Sequence, residues 1–397
     1  MKIREVKSLV CQGGIRNWIF TKVTTDEGLV GWGEATDWVG ENEIAATADF
    51  IGKRFLIGED PRNIERLWYK MYMAIQGGGR DLSCAITGIE TALWDILGKT
   101  AKMPLYQLLG GCCYDKLRLY SHCDGGAEFE EGKSRAEMEA DREEDVVKRA
   151  NQIVRDGFTG MKTHMSAKDG SWGGYPKVRQ NRTIDDRTVR NTVEKIRVMR
   201  ETVGPDVAIM LDVNNLLNVP SAIKLGRALE PFNLLFYEDV VRQDEGMLDV
   251  RKVKAAVKIP ISSGENLYNV WQFREALELD AIDVVELDCA HCGGIAQSKK
   301  IVALAEAYHK PISPHNPNGP LATIQTAHIC ASTPNFLILE IIWPDVPWVN
   351  DVLSEPLKVR NGCLELPTKP GLGVEINEDE VKRHPPKPGL LDKCIVN

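Results

Sequence analysis

Residues 207–212 read Val207-Ala208-Ile209-Met210-Leu211-Asp212, an unbroken apolar run closed by a single acid. The same device recurs along the chain. Leu234 to Tyr237 ends on Glu238, Ile259 to Gly264 on Glu265, and Val284 to Leu287 on Asp288. Pro311 to Pro314 ends on His315 and Phe336 to Leu339 on Glu340, while upstream Phe158 to Met161 is followed by Lys162 and His164. Short runs dominated by apolar residues have the length of strands, and strands without polar alternation are covered on both faces, as in a parallel sheet. The stretches between them carry helical periods, such as Ile301, Leu304 and Ala305. From Asp212 onward the polar end residues are spaced 26, 27, 23, 27 and 25 residues apart. One β–α unit of a barrel needs roughly 30 residues.

Alternating strands and helices leave two architectures, an open doubly wound sheet or a closed barrel. In an open sheet the strand ends lie along a line; in a barrel they converge on one mouth, where catalysis sits. Successive ends bearing groups of metal-ligand or acid–base type favour the barrel. One gap breaks the rhythm, the 50 residues from Lys162 to Asp212. Residues 165–183, MSAKDGSWGGYPKVRQNRT, have no period and are expected to form an inserted loop above the mouth. Residues 127–145 are dense in Glu and are expected to form a solvated helix.

Toward the N-terminus the pattern changes. Ile3 to Val10, Trp18 to Thr24 and Leu29 to Glu34 read as strands, separated by Gly13-Gly14 and the turn Asp26-Glu27-Gly28. Three helical stripes follow: Ile44, Ala48 and Ile51; Ile64, Leu67 and Met71; and Ile86, Ile89, Leu93 and Leu97. Strands first and helices after describe a compact α+β domain of about 110 residues.

The chain has 397 residues, 49 basic against 57 acidic, for a net charge of −8. That balance argues against a nucleic-acid partner, which needs a basic footprint. It leaves room for an anionic substrate, because a metal or a local Lys can invert the field inside one cleft. No run of 18 apolar residues offers a membrane span. MKIREVKSLV reads as a strand rather than an export signal, and ten cysteines are too sparse for a disulfide scaffold. A cytoplasmic location is therefore expected. Cys289-Ala290-His291-Cys292 invites a zinc site, but a lone CxxC followed by Gly293-Gly294 reads better as a tight strand-to-helix loop.

Asp212, Glu238 and Glu265 close three consecutive strands. Three convergent carboxylates resist joint ionisation without a cation, and hard oxygen ligands select Mg2+, with Mn2+ as an alternative. Such a metal would bind a substrate carboxylate and stabilise the dianionic enediolate formed by removing the proton α to it. Asp288 and His315, on neighbouring strands, suit an acid–base dyad in which the carboxylate fixes the imidazole tautomer. Lys162 and His164 project to one side of their strand and could supply a cation and a second acid or base. Glu340, if protonated, could hydrogen-bond the substrate carboxylate.

These motifs carry a resemblance. The chain resembles the enolase superfamily, mandelate racemase subgroup, over nearly its whole length. GLVGWGEAT and AITGIETALWDILGKTAKMPLYQLLGG resemble the family's capping domain. LDVNN, FYED, SSGEN, ELDCAHCGGI, SPHNPNGPLA and LILE resemble successive barrel motifs, and PGLGVEI the C-terminal return. The resemblance implies an α/β fold, a (β/α)7β-type modified TIM barrel with an N-terminal α+β capping domain. The expected units are the cap at 1–115, the barrel at 116–356, and a C-terminal return segment at 357–397 packing on the cap. It implies Mg2+ on Asp212, Glu238 and Glu265, the dyad Asp288–His315, and Glu340 as the electrophilic group. Asn214 and Lys162 would line the site. Two cap loops, around Gln12 to Trp18 and Thr36 to Glu41, would set specificity through Arg16, Trp18 and Trp38.

One departure bears on the reaction. The subgroup often has Lys-x-Lys on the second barrel strand, where this chain has Lys162-Thr163-His164. That weakens a two-base racemase and favours a reaction that one dyad can complete. The expected activity is a hydro-lyase: dehydration of an aldonate or aldarate to a 2-keto-3-deoxy acid. A racemase, epimerase or cycloisomerase using the same enediolate is the nearest alternative, and a non-catalytic scaffold the remote one. The expected partner is a small carboxylate, with assembly as a homo-oligomer, a dimer or octamer.

Overall fold

The computed structural model describes residues 1–14, 16–74, 79–123, 146–166 and 182–387. The Glu-rich segment 127–145 and most of the expected insertion at 165–183 lie outside the described residues. Three antiparallel strands open the chain, β1 (Ile3–Gln12), β2 (Asn17–Thr25) and β3 (Val30–Glu34). Three helices follow, α1 (Glu41–Ile51), α2 (Ile64–Ala74) and α3 (Arg80–Ala101). The stripes read from the sequence are their buried faces: Ile44, Ala48 and Ile51; Ile64, Leu67 and Met71; Ile86, Ile89 and Leu93.

Glycines set how closely β3 lies on α3. A Cβ on Gly33 would stand 2.1 Å from the Gly88 carbonyl oxygen, and one on Gly31 2.1 Å from that of Ala92. Gly33→Ala is therefore expected to push strand from helix, costing about 1–3 kcal/mol or more. A thermal melt checks this; an unchanged Tm would contradict the close approach.

After the short α4 (Leu105–Leu108) the chain enters eight parallel segments. They are β4 (Lys116–His122), β5 (Gly160–His164), β6 (Ala208–Asp212), β7 (Phe236–Glu238), β8 (Ile261–Ser263), β9 (Val284–Val285), a segment at Ile312, and β10 (Leu339–Glu340). Each pairs in parallel with the next; Val285 bridges Ile312, Ile312 bridges Phe336, and β10 returns to β4 through Leu339–Leu119. The pairing thus runs round a barrel. Seven helices connect the eight segments among the described residues: α5 (Val146–Arg155), α6 (Asp186–Val203), α7 (Val219–Leu229), α8 (Met247–Lys254), α9 (Val270–Glu278), α10 (Ile295–Ala307) and α11 (Pro320–Ala331). That is the (β/α)7β order. No described helix is long and apolar enough to cross a membrane.

Register decides which side chains meet inside. His122 is opposite Lys162, His164 opposite Asp212, Asp212 opposite Glu238, and Glu238 opposite Ser262. Side chains alternate along a strand, so even-numbered residues share one face throughout. Tyr120, Met210, Phe236, Val284 and Ile338 form a small apolar cluster of their own, the packed interior. Their odd-numbered neighbours Leu119, Met161, Ile209, Leu211, Tyr237, Val285 and Leu339 belong to the large outer cluster. One step beyond the interior layer, the same even face delivers His122, Lys162, Asp212, Glu238 and Glu340. The barrel is thus apolar below and ionic at its mouth.

Two features go beyond the expectations. The first barrel strand, Lys116–His122, was not among the runs singled out, because it alternates polar with apolar residues instead of running apolar. The return segment also does not go directly to the cap. Its hairpin, β11 (Val359–Arg360) and β12 (Cys363–Glu365), pairs antiparallel with β4 of the barrel. Only beyond it does the chain meet the cap: Leu372 N donates to Asp95 and Gln12 N donates to the His384 carbonyl, beside the last helix, α12 (Glu378–Arg383).

Buried cap carboxylates fasten the two parts at the barrel mouth. Glu34 accepts from the backbone N–H groups of Gly319 and Ala322, at the start of α11. Glu90 accepts from Ile295 and Ala296, the first residues of α10. A carboxylate at a helix N-terminus satisfies donors that have no partner within the helix. Burial pushes each carboxyl up to about 7, against the donors just named. A folded-state value above the unfolded one means a contribution that is full below pH 4.5 and is lost as pH rises through 7. Glu90→Gln and Glu34→Gln are each expected to flatten the decline in Tm between pH 5 and 8, on the order of 3 kcal/mol per group at most. Parallel pH dependences of variant and parent Tm would count against it.

Candidate active site

Ion pairs organise the mouth of the barrel. Lys162 is fully buried; its Nζ donates to Glu238 Oε1 at 2.6 Å, lies 2.7 Å from Glu340 Oε1 and 3.9 Å from Asp212 Oδ2, and stands over the Tyr120 ring. Burial opposes the ammonium, yet Glu238 and Glu340 hold it well above the usual lysine range. His164 Nε2 lies 3.3 Å from Asp212 Oδ2. Asp212 is fixed further by Asn214, whose backbone N–H reaches Oδ1 at 2.6 Å and whose side chain reaches Oδ2 at 2.8 Å. Asn214 turns the chain there with φ of 49°, a left-handed conformation that Asn tolerates.

His315 Nδ1 lies 2.7 Å from Asp288 Oδ2, and its Nε2 2.9 Å from Glu265 Oε2. Asp288 also accepts from Ala290 N on Oδ1 and from the Asn318 side chain on Oδ2. Burial acts to raise the Asp288 carboxyl, but His291 and His315 together hold it below the usual value. Although burial disfavours the imidazolium, Glu265, Glu340 and Asp288 hold His315 well above the ordinary histidine range.

Each carboxylate expected on the metal therefore has a basic neighbour: Asp212 has His164, Glu238 has Lys162, and Glu265 has His315. Burial and the Asp212 charge push the Glu238 carboxyl up to about 8 despite Lys162. The donor set fits a hard divalent cation: all three are carboxylates at the barrel mouth, and Glu238 Oε2 is buried with no hydrogen-bond partner among the described residues. The tightest groupings of ligand atoms, within 4.8 Å of one another, are instead Asp37–Cys84–His291 and Asp288–His291–His315. Cys289 and Cys292 are in neither. Cys292 Sγ lies 3.0 Å from Ser298 Oγ, and Gly293 and Gly294, at φ of 93° and 98°, make the tight loop expected there.

Glu340 is held on both carboxylate oxygens. Its Oε1 faces both Lys162 and His122, at 2.7 and 2.5 Å, and its Oε2 accepts from Asn316 N at 2.8 Å. Burial would raise the carboxyl, but Lys162 and His315 hold it well below the usual range.

In the cap, Arg16 reaches the barrel by donating Nη2 to the Asn318 carbonyl at 3.1 Å, with its guanidinium 5.0 Å from the Trp38 ring centroid. Trp18 lies deeper. It is fully buried, a Cβ on Gly13 or Gly319 would collide with its ring, and it packs near Phe20. Both faces of β2 are covered at that point, which packs Trp18 into the core.

The structure adds groups that were not singled out. His122 closes the first barrel strand against Glu340. Glu286 shares the interior face with Asp288 and accepts from Ser262 Oγ at 2.8 Å. Asp239, next to Glu238, is buried and accepts from Ser263, Asn215 and Gln243. Asn316 and Asn318 follow His315 and hold Glu340 and Asp288.

Comparisons agree with this geometry. A family model described as mandelate racemase / muconate lactonizing enzyme, N-terminal domain, matches residues 12–110, and one described as enolase C-terminal domain-like matches residues 145–380. A D-xylonate dehydratase of Haloferax volcanii is 33% identical over 388 residues, 96% of this chain and 89% of the relative. A D-galactonate dehydratase of Cronobacter sakazakii is 33% identical over 372 residues, 92% of this chain and 90% of the relative. The crystal structure of an enolase superfamily member from Salmonella Typhimurium superposes with a TM-score of 0.86 at 30% identity, covering 97% of this chain and 98% of that one.

Proposed function

Because the chain belongs to the mandelate racemase / muconate lactonizing enzyme family of the enolase superfamily, we propose that it is an acid-sugar dehydratase, a carbon–oxygen lyase. One observation carries the reading. The Asp288–His315 pair at 2.7 Å leaves the second imidazole nitrogen 2.9 Å from Glu265, beside the carboxylates suited to a cation. A proton-abstracting base thus adjoins the place where a substrate carboxylate would be held. The named activities of the relatives from Haloferax volcanii and Cronobacter sakazakii support the substrate class, a sugar acid.

Asp212, Glu238 and Glu265 would hold Mg2+, or Mn2+, with Asn214 orienting the first of them. Bound there, the cation supplies positive charge to a substrate carboxylate as a second negative charge develops on it. Asp288 holds His315 in the tautomer that presents Nε2. Glu265 committed to a cation would no longer hold the imidazolium, and the neutral form of His315 takes the C2 proton on Nε2 while the C2–H electron pair moves into the carboxylate to give an enediolate. Lys162, held by Glu238 and Glu340, places a fixed cation under the site. The enediolate then expels the C3 hydroxyl, which leaves as water with a proton returned by His315 or His164. The resulting enol ketonises to a 2-keto-3-deoxy acid. Geometry disfavours a second base at Lys162, whose Nζ is already committed to two carboxylates. Arg16 and Trp38 would read the far end of the substrate from the cap.

The test is a Mg2+-dependent screen of mono- and diacid sugars, with keto-acid detection and a chelated control. Keto acid from at least one sugar, lost on chelation and restored by Mg2+, is the expected result. Deuterium entering C2 of recovered substrate from D2O, with no keto acid formed, would instead assign a racemase or epimerase.

A further inference from the structure

His291 joins the dyad to the cap. It lies three residues after Asp288, in the loop between β9 and α10, and is almost fully buried. Its Nε2 is 3.1 Å from the Thr36 carbonyl and 3.9 Å from Asp37 Oδ2, both in the cap loop. Its Nδ1 is 3.4 Å from Asp288 Oδ2 and 3.5 Å from the Glu265 carbonyl. The opposite flank of Asp288 is tied to the cap as well. The Asn318 side chain donates to the same Oδ2 at 2.8 Å, while its carbonyl accepts from Arg16. Arg16 lies over Trp38, which follows Asp37. The contacts close into a ring, from Asp288 through His291 to Thr36 and Asp37, on to Trp38 and Arg16, and back through Asn318.

We propose that His291 is a positioning residue that carries the placement of the Thr36–Trp38 cap loop to Asp288 and so to His315. The proposal rests on the assignment of Asp288–His315 as the acid–base dyad. A hydrogen bond from an outer partner fixes an imidazole or carboxylate only as well as that partner is itself fixed. Asp288 Oδ2 accepts from Asn318, faces His315 Nδ1 at 2.7 Å and lies 3.4 Å from His291 Nδ1, and both Asn318 and His291 are in turn held by cap residues. A cap loop displaced by an ill-fitting ligand would therefore disturb the base as well as the substrate pocket. Selectivity would then appear in kcat and not only in KM.

The experiment uses the full chain labelled with 15N-histidine. The His315 Nδ1–H resonance is identified by its loss in His315→Asn. His291→Leu is expected to shift or broaden it, and Asp37→Asn to do the same although Asp37 has no contact with His315. On the best acid sugar of the screen, His291→Leu is expected to lower kcat by about 10–100-fold with KM within about threefold. His291→Gln, which keeps a donor for the Thr36 carbonyl, is expected to recover most of both signals. A resonance and a kcat that ignore His291→Leu would overturn the proposal. So would equal losses of kcat and Tm in the Leu and Gln variants, the mark of packing alone. If the parent turns over no acid sugar, the functional reading fails while the resonance still decides the coupling.

Discussion

His315→Asn is expected to lower kcat by about 10³–10⁴-fold while KM stays within about threefold. The imidazole joins Asp288 to the Glu265 carboxylate, with 2.7 Å on one side and 2.9 Å on the other. Asparagine keeps much of the shape and can still hydrogen-bond Asp288, but it cannot accept a proton from carbon. Binding through the metal carboxylates should survive, which separates this variant from a folding defect. Asp288→Asn should approach the same loss by a different route, leaving the imidazole in the wrong tautomer. Steady-state kinetics and loss of C2 deuterium exchange are the measurements. Turnover within tenfold of the parent would remove His315 from the mechanism.

The second large effect belongs to Glu238. Glu238→Gln replaces a buried carboxylate that accepts from Lys162 and has a further oxygen free of hydrogen-bond partners among the described residues. Affinity for Mg2+, measured by calorimetry, should fall beyond the roughly 10–100-fold that loss of an outer partner costs. Turnover at low Mg2+ should fall with it and recover only partly at high Mg2+. Unchanged Mg2+ affinity would take Glu238 out of the metal set. Glu245→Gln serves as the control, since that acid pairs with Arg182 on the surface.

The residues at this site were legible to different degrees, for physical reasons. Asp212, Glu238, Glu265, Asp288, His315 and Glu340 could be read because each closes an apolar run at nearly constant spacing, and a barrel turns spacing along the chain into convergence in space. His122 escaped because its strand, the first of the barrel, carries charged residues and pairs with the β11–β12 hairpin, so no apolar run marks it. Glu286 was hidden inside a run read as apolar, although strict alternation from Asp288 puts it on the interior face. The contact of His291 with the Thr36–Asp37 cap loop, and the part of Asn318, were out of reach because loops have no period. The burial of Trp18 was out of reach for another reason: the layer that covers it, with Gly319, comes from a distant part of the chain. The partners of Glu340 were equally unreadable, since Lys162, His122 and Asn316 arrive from three separate places in the chain.

The fastening of α10 and α11 by Glu90 and Glu34 bears on how such a protein can be recombined. Grafting the cap of a relative onto this barrel, to import another specificity, would leave two helix ends of the barrel without acceptors unless the donor cap carried acids at the same two places. Successful chimeras should therefore be those whose crossover points keep both carboxylates with the helices they hold. The unit of exchange is a loop of the cap, not the cap itself.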